Sequence, residues 1–237
     1  MKKIIFMIAC CLMVTAQSII AQSNYTGKVF LQHDGNITAT FGGDEIDKAI
    51  EAAVDGDILY LSKGNFNSNF TINKSISLIG SGAEAGSDSQ RSTYFEWNGS
   101  PRINGGDGKV LSAVTIEGIY SAPGFYVEGQ IENIDFKKCY FNNTLGISNN
   151  NSHLSSISTN GSIEDATIKN CKIYNAYGQG GQTNSSCKFI NCNIRQVSTD
   201  TKAMFVNSII NEVGNGTSEY LGDNAILVNT LYHNMNG

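Results

Sequence analysis

Between Phe136 and Tyr232 the chain repeats one hexamer: an apolar residue, two residues, a small Cys, Ser or Thr, one residue, and a second apolar or aromatic residue. The copies are Phe136-Lys137-Lys138-Cys139-Tyr140-Phe141, Ile168-Lys169-Asn170-Cys171-Lys172-Ile173, Phe189-Ile190-Asn191-Cys192-Asn193-Ile194, Phe205-Val206-Asn207-Ser208-Ile209-Ile210 and Leu227-Val228-Asn229-Thr230-Leu231-Tyr232. Around Ile168 the side chains alternate inward and outward, with Asn170 at a bend and Cys171 and Ile173 inward. This period of two is the strand signal. Four of the five copies place Asn third, and Asn tolerates the left-handed backbone that a sharp bend demands.

The leading residues are 32, 21, 16 and 22 residues apart, and fainter copies at Leu78, Phe95 and Ile116 extend the series upstream. A unit of about twenty residues cannot bury its own apolar face, so stacking of neighbours is predicted. The long step holds the Asn- and Ser-rich run from Asn142 to Ser162, read as a loop insertion of roughly ten residues in an ordinary unit. Stacking places Asn170, Asn191, Asn207 and Asn229 roughly 4.8 Å apart, where their amides can bond along a ladder. An antiparallel sandwich also has many short strands. It gives no reason for one residue type at one bend in successive units.

Upstream, Asp44-Glu-Ile-Asp-Lys-Ala-Ile-Glu-Ala-Ala-Val-Asp-Gly-Asp-Ile-Leu-Tyr-Leu-Ser-Lys-Gly-Asn-Phe66 leads to Phe70-Thr-Ile-Asn-Lys-Ser-Ile-Ser-Leu-Ile-Gly80. Asp44 is the expected N-cap of a short helix, about 44–55. Ile46, Ala49, Ile50 and Ala53 form its apolar face and Gly56 stops it. This opening resembles that of the pectate-lyase-like superfamily, and with the repeats the resemblance spans about residues 42–237. It implies an all-β fold, a right-handed single-stranded parallel β-helix. The short N-terminal helix would cap the first coil, with coils over about 57–237.

Lys2-Lys3 followed by the apolar run Ile4 to Val14, with Ile19-Ile20-Ala21 before Gln22, reads as a secretory signal over residues 1–21. The mature domain is then 22–237, located in the periplasm, at the cell surface or outside the cell. An uncleaved anchor and a lipoprotein box at Met7-Ile8-Ala9-Cys10 are the other readings; the apolar run is short for a span and the box sits early. No later segment is expected to cross a membrane. Composition adds 25 Gly against two Pro, 16% charged residues and a net charge of −5, which fits a turn-rich β protein. With no Lys/Arg cluster, nucleic acid is not expected as a partner. Cys139, Cys171 and Cys192 share the repeat position of Ser208 and Thr230, so together with Cys187 they are expected as buried free thiols. Stacked Cβ vectors run parallel rather than converging as a disulfide requires. No matching His or Cys pair accompanies Cys187 and Cys192, so no metal site is expected there.

The resemblance implies polysaccharide chemistry, but its motifs are missing. Lyases of the superfamily use acidic residues on calcium and an Arg or Lys base; the related hydrolases use paired Asp residues near Gly-His-Gly. Here His33, His153 and His233 lack flanking glycines and no Asp-Asp pair occurs. Arg91, Arg102 and Arg195 lack the Arg-x-Pro-x-x-Arg setting, and the esterase pattern of the fold is also missing. No catalytic residue is assigned. Family geometry points to Tyr126, Glu128, His153, Asp200 and Lys202 as a substrate-binding set, in which Tyr126 stacks on a sugar ring and the charged groups bond hydroxyls or carboxylates. The expected function is non-catalytic: an exported β-helix that binds glycan or serves as a surface or periplasmic scaffold, without a cofactor. The alternatives are a polysaccharide lyase or glycoside hydrolase with a divergent site, where calcium enters only for a lyase, and a fragment of a longer secreted β-helix protein. After the last copy, His233-Asn234-Met235-Asn236-Gly237 is too short for a capping helix. End-to-end self-association through that coil is therefore a further expectation.

Overall fold

The structure, a computed structural model, describes residues 26–83, 92–106, 108–148, 166–179, 186–199, 202–213 and 225–233. Each repeat contributes one strand to each of two large sheets, so strands distant in sequence become neighbours. In the first sheet, Ile58–Leu61, Ser77–Ile79, Val114–Glu117, Ile134–Lys137, Ala166–Lys169, Ser186–Ile190, Lys202–Val206 and Ile226–Val228 pair in parallel. The second sheet runs from Gly64–Phe66 to Leu231–Tyr232, with a side branch of Thr71–Ile72, Arg102–Ile103 and Phe125–Val127. Val110–Leu111 pairs with Gln130–Ile131 apart from both. The protein is thus an all-β stack of mostly parallel strands, an arrangement compatible with a β-solenoid.

Register explains the repeat. Leu59, Leu78, Ile116, Phe136, Ile168, Phe189, Phe205 and Leu227 stand in one row of the first sheet. All but Leu227 are buried. Facing them, Phe66, Phe95, Ser121, Phe141, Ile173, Ile194, Ile210 and Tyr232 form a row of the second sheet. Phe136 meets Phe141 edge-on at 5.5 Å, while Phe189 and Phe205 stack at 4.8 Å. Each buried Phe or Ile contributes about 1.5–3 kcal/mol. Phe136 pairs directly with Ile168, so the 32-residue step is a single tier; of the run read as a loop, Asn142 to Ser148 belongs instead to the paired strand Tyr140–Ser148, and 149–162 lie outside the described residues. Phe95, expected to lead a repeat, does not. It lies in the second sheet, and Leu78 pairs directly with Ile116, so one tier spans that whole interval. Strand alternation of apolar residues is the same in both sheets, which is why Phe95 resembled a leading residue.

The bend between the sheets is built as the Asn pattern predicts. Asn170, Asn191, Asn207 and Asn229 have φ of 54°, 53°, 49° and 47°, and Lys138 occupies the same bend at 53°. Each bend N–H donates to the next tier: Asn170 to the Ile190 carbonyl at 2.9 Å, Asn191 to Val206 at 3.0 Å, Asn207 to Val228 at 3.0 Å. Side-chain rungs join Asn191 Nδ2 to Asn170 Oδ1 (3.2 Å) and Asn229 Nδ2 to Asn207 Oδ1 (2.8 Å). Lys138 has no amide, and its Nζ instead pairs with Glu117 at 2.7 Å.

One residue further on runs a second ladder. The Cys139, Cys171, Cys192, Ser208 and Thr230 side chains each lie between two carbonyl acceptors for their single hydrogen: the leading residue's in the preceding tier (Ile116, Phe136, Ile168, Phe189 and Phe205 respectively) and the one two residues back in their own (Lys137, Lys169, Ile190, Val206 and Val228). In return, the N–H of Cys192 donates to Ser208 Oγ (3.2 Å) and that of Ser208 to Thr230 Oγ1 (3.4 Å). All four described cysteines are free and buried. Burial pushes the Cys187 and Cys192 thiols up to about 12, and Cys171 is raised by its bond with Cys139 and by burial.

An antiparallel hairpin, Lys28–His33 with Asn36–Gly42, closes the N-terminal edge of the first sheet. Its turn is Asp34-Gly35, both with positive φ, the pairing that a two-residue hairpin favours. The helix Ile46–Ala52 follows a 3-10 turn, Gly43–Glu45, and buries Ile46, Ala49 and Ile50. Asp44 is not its N-cap. Glu45 Oε2 accepts the Gly42 N–H at 3.2 Å, and the helix ends before Gly56, which shapes the next turn at φ 96°. Lys74 Nζ completes the helix end, donating to the carbonyls of Ile50, Glu51 and Ala53 at 2.6–2.9 Å. These carbonyls have no partner within the helix and carry its negative pole. Asp57, buried, accepts Val54 N–H and bonds His33 Nδ1 at 2.7 Å, and this bond raises the His33 pKa.

Two expectations follow from the ladders. Asn191→Ala removes a side-chain rung and the residue best suited to φ 53°, at a cost of about 1–2 kcal/mol. The melting midpoint should fall by several degrees, whereas an unchanged midpoint would place Asn191 outside any structural ladder. The thiols of Cys139, Cys171, Cys187 and Cys192 should resist a small reagent in the native protein and react after denaturation without reductant. A Cys171–Cys192 or Cys187–Cys192 bridge in the mass spectrum would contradict this.

Candidate functional site

The side branch of the second sheet brings together two of the residues expected at a site. Tyr126 pairs in register with Arg102 on one side and Gly146 on the other. Backbone bonds lock this register: Tyr126 N–H donates to the Pro101 carbonyl at 3.0 Å and Glu128 N–H to Ile103 at 2.9 Å. Alternation buries Phe125 and Val127 and turns Tyr126 and Glu128 outward. Arg102 comes from the preceding tier and joins both. Its Nη1 donates to Glu128 Oε1, and its guanidinium carbon lies 5.3 Å from the Tyr126 ring centroid.

Two glycines shape the surroundings. A Cβ on Gly124 would sit 2.6 Å from the Tyr126 hydroxyl, so only glycine leaves room for the ring where it lies. Gly129 turns at φ 87° beside the Asn104 side chain, ending the strand just past Glu128. The Arg102 and Glu128 side chains are 33% and 14% exposed, so the pair is partly desolvated and its geometry is held from both sides.

The outer face of the same sheet carries more aromatic and cationic groups. Tyr94 stacks on Tyr120 at 5.0 Å, Tyr120 meets Tyr140 at 4.8 Å, and Lys172 Nζ lies 4.8 Å from the Tyr140 centroid. Arg195 covers the Tyr174 ring at 4.2 Å. Burial raises the Tyr94 and Tyr120 phenol pKa values, with Glu96 adding to the first and Tyr140 to the second.

His153 and Asp200 lie outside the described residues. Lys202 opens the strand Lys202–Val206 of the first sheet. The Tyr126 register row reaches Gly146, Tyr177 and Ser198 in turn, so Lys202 follows a tier three strand spacings away, roughly 14 Å along the stack. Arg102 is the residue that the sequence pattern did not place here. Only the length of the tier between Arg102 and Tyr126 brings them into register, and no local motif encodes that length.

Chemically, the cluster offers a ring, a phenol hydroxyl, guanidinium N–H donors and a carboxylate already committed to a cation. This suits recognition of a polar ligand with an apolar face better than proton abstraction. Among the described residues no three His, Cys, Asp or Glu side chains are grouped to hold a metal ion. No protein-family model matches the chain, and no curated protein and no solved structure matches it either.

A double-mutant cycle tests the cluster. Arg102→Met alone leaves the partly desolvated Glu128 carboxylate unpaired, and Glu128→Gln alone leaves Arg102 without its counter-charge. The two together should cost less than the sum of the singles, with a coupling of about 0.5–1 kcal/mol. Additive losses in thermal unfolding would mean that the contact contributes nothing to stability.

Proposed function

We propose that this chain is an exported, non-catalytic right-handed parallel β-helix of the pectate-lyase-like superfamily, which binds glycan on the outer face of its second sheet. The observation that carries the reading is the Arg102–Tyr126–Glu128 cluster, a charge-neutral pair beside an aromatic ring on a rigid parallel sheet. A sugar ring offers an apolar face to Tyr126 and hydroxyls to the guanidinium and carboxylate. Support for the fold comes from the parallel register of successive repeats and the left-handed Asn bends. The signal-like residues 1–21 support export to the periplasm, the cell surface or the medium.

The test is affinity-gel electrophoresis of the full chain against acidic and neutral polysaccharides, with absorbance of unsaturated products followed in parallel. Retardation by at least one polysaccharide without product is expected. Tyr126→Ala should weaken it by roughly fivefold, the equivalent of about 1 kcal/mol of ring contact. Accumulating unsaturated product would make the chain a lyase instead, and absence of retardation by every polysaccharide would remove the glycan reading.

A further inference from the structure

One corner of the second sheet is longer than the corners on either side of it. Where the chain turns from Thr93–Phe95 into Arg102–Ile103, the N–H groups of Glu96 and Arg102 donate to the carbonyls of Phe66 and Phe70 in the preceding tier. In the following tier, the N–H groups of Ala122 and Tyr126 donate to the carbonyls of Phe95 and Pro101. Both neighbours cover the corner in four residue steps, and this tier takes six. Those bonds fix both ends of the corner. Its inner side is filled by Phe95, which meets Phe66 at 6.1 Å and Phe70 at 5.4 Å. The surplus residues therefore bow outward.

Trp97 stands on this bow. It is the chain's one tryptophan, and it is 62% exposed. Burying an indole is among the largest apolar gains open to a side chain, and here that gain is forgone. A slack loop is not the cause, because the residues around Trp97 are held. Asn98 Oδ1 accepts the Ser68 N–H at 2.9 Å. Ser68 Oγ, fully buried, lies within hydrogen-bond reach of Asn98 Oδ1 and of the Glu96 carbonyl. Gly99 packs so closely that a Cβ there would sit 2.7 Å from Asn69 Cα, and Pro101 is buried. A ring displayed on an anchored loop loses little freedom when a ligand covers it.

The corner leads directly into the cluster described above. Pro101 precedes Arg102, and its carbonyl holds the Tyr126 N–H. The Tyr126 ring lies over Gly124, on the corner of the following tier. Five residue steps separate Trp97 from Arg102, so the two lie within roughly 17 Å. We propose that Trp97 is a second sugar-stacking platform, which together with Tyr126 and Arg102 fits the site to a run of several sugars along one glycan chain rather than to a single sugar. The inference rests on the glycan reading. Each of the two rings takes the apolar face of one sugar, and Arg102 beside Tyr126 donates to hydroxyls.

Because the chain has one tryptophan, its fluorescence reports this platform alone. With a polysaccharide that retards the full chain, the emission should move to shorter wavelength and quenching by acrylamide should fall roughly twofold as the ring is covered. The constituent monosaccharide at equal sugar concentration should do neither. Trp97→Ala should weaken retardation roughly fivefold, with the melting midpoint unchanged because the ring is exposed. Trp97→Phe should restore most of the binding. Retardation with unaltered Trp97 emission, undiminished retardation of Trp97→Ala, or an equal response to the monosaccharide would overturn the proposal and leave glycan binding standing. Absence of retardation by every polysaccharide would remove the glycan reading and this inference with it.

Discussion

The bend between the two sheets carries the rest of the structure. From Gly118 to Asn207, one residue per tier adopts a left-handed backbone, and its N–H reaches the carbonyl that ends the strand of the next tier. That single geometry sets the angle at which the chain leaves one sheet for the other. It also fixes the axial register of the tiers, so the buried rows led by Phe136, Ile168 and Phe189 coincide. Most side chains resist positive φ, and Asn resists least after Gly. Lys138 shows the same constraint met without Asn: it holds φ 53°, and its ion pair with Glu117 stands where an amide rung would be.

Beside this bend, the cysteine, serine and threonine ladder solves a different problem. The leading residue's carbonyl in each tier lies next to the core, where an unpaired acceptor would be costly. A small side chain from the following tier stands within hydrogen-bond reach of it, and shares its one hydrogen between that carbonyl and one in its own tier. Thiol and hydroxyl serve alike because both are short, donate once and accept once. The cysteines are therefore interchangeable in role with Ser208 and Thr230, and burial places them beyond easy ionisation. Polar satisfaction and apolar packing here come from one repeated hexamer.

The parts of this fold that were legible in the sequence are those whose cause is local. Asn170, Asn191, Asn207 and Asn229 announced the bend because backbone preference belongs to the residue itself. Cys171 and Cys192 announced buried thiols because the repeat aligned them with Ser208 and Thr230. Phe95 misled because strand alternation is identical in both sheets, and only pairing distinguishes them. Asp34-Gly35 between alternating residues was a readable hairpin signal, and the hairpin it forms closes the edge that the helix alone was expected to cover. Asp44 gave way to Glu45 because a 3-10 turn precedes the helix and shifts the cap by one residue. At the candidate site, Tyr126 and Glu128 were reached only through the geometry that the family resemblance implies. Arg102 was not legible, since its partnership depends on how many residues the chain spends completing one tier.

The tiers differ widely in length while their core rows stay aligned. Phe189 and Phe205 are adjacent after 16 residues, Phe136 and Ile168 after 32, and Leu78 and Ile116 after 38. Where the additional chain is described it forms further paired strands, such as Arg102–Ile103 and Tyr140–Ser148, and the core rows stay in register whatever its length. Such an architecture separates two kinds of heritable change. Substitution inside the hexamer is tightly restrained, whereas insertion at a corner is nearly free, so new surface chemistry can accumulate by lengthening loops while folding competence is inherited intact.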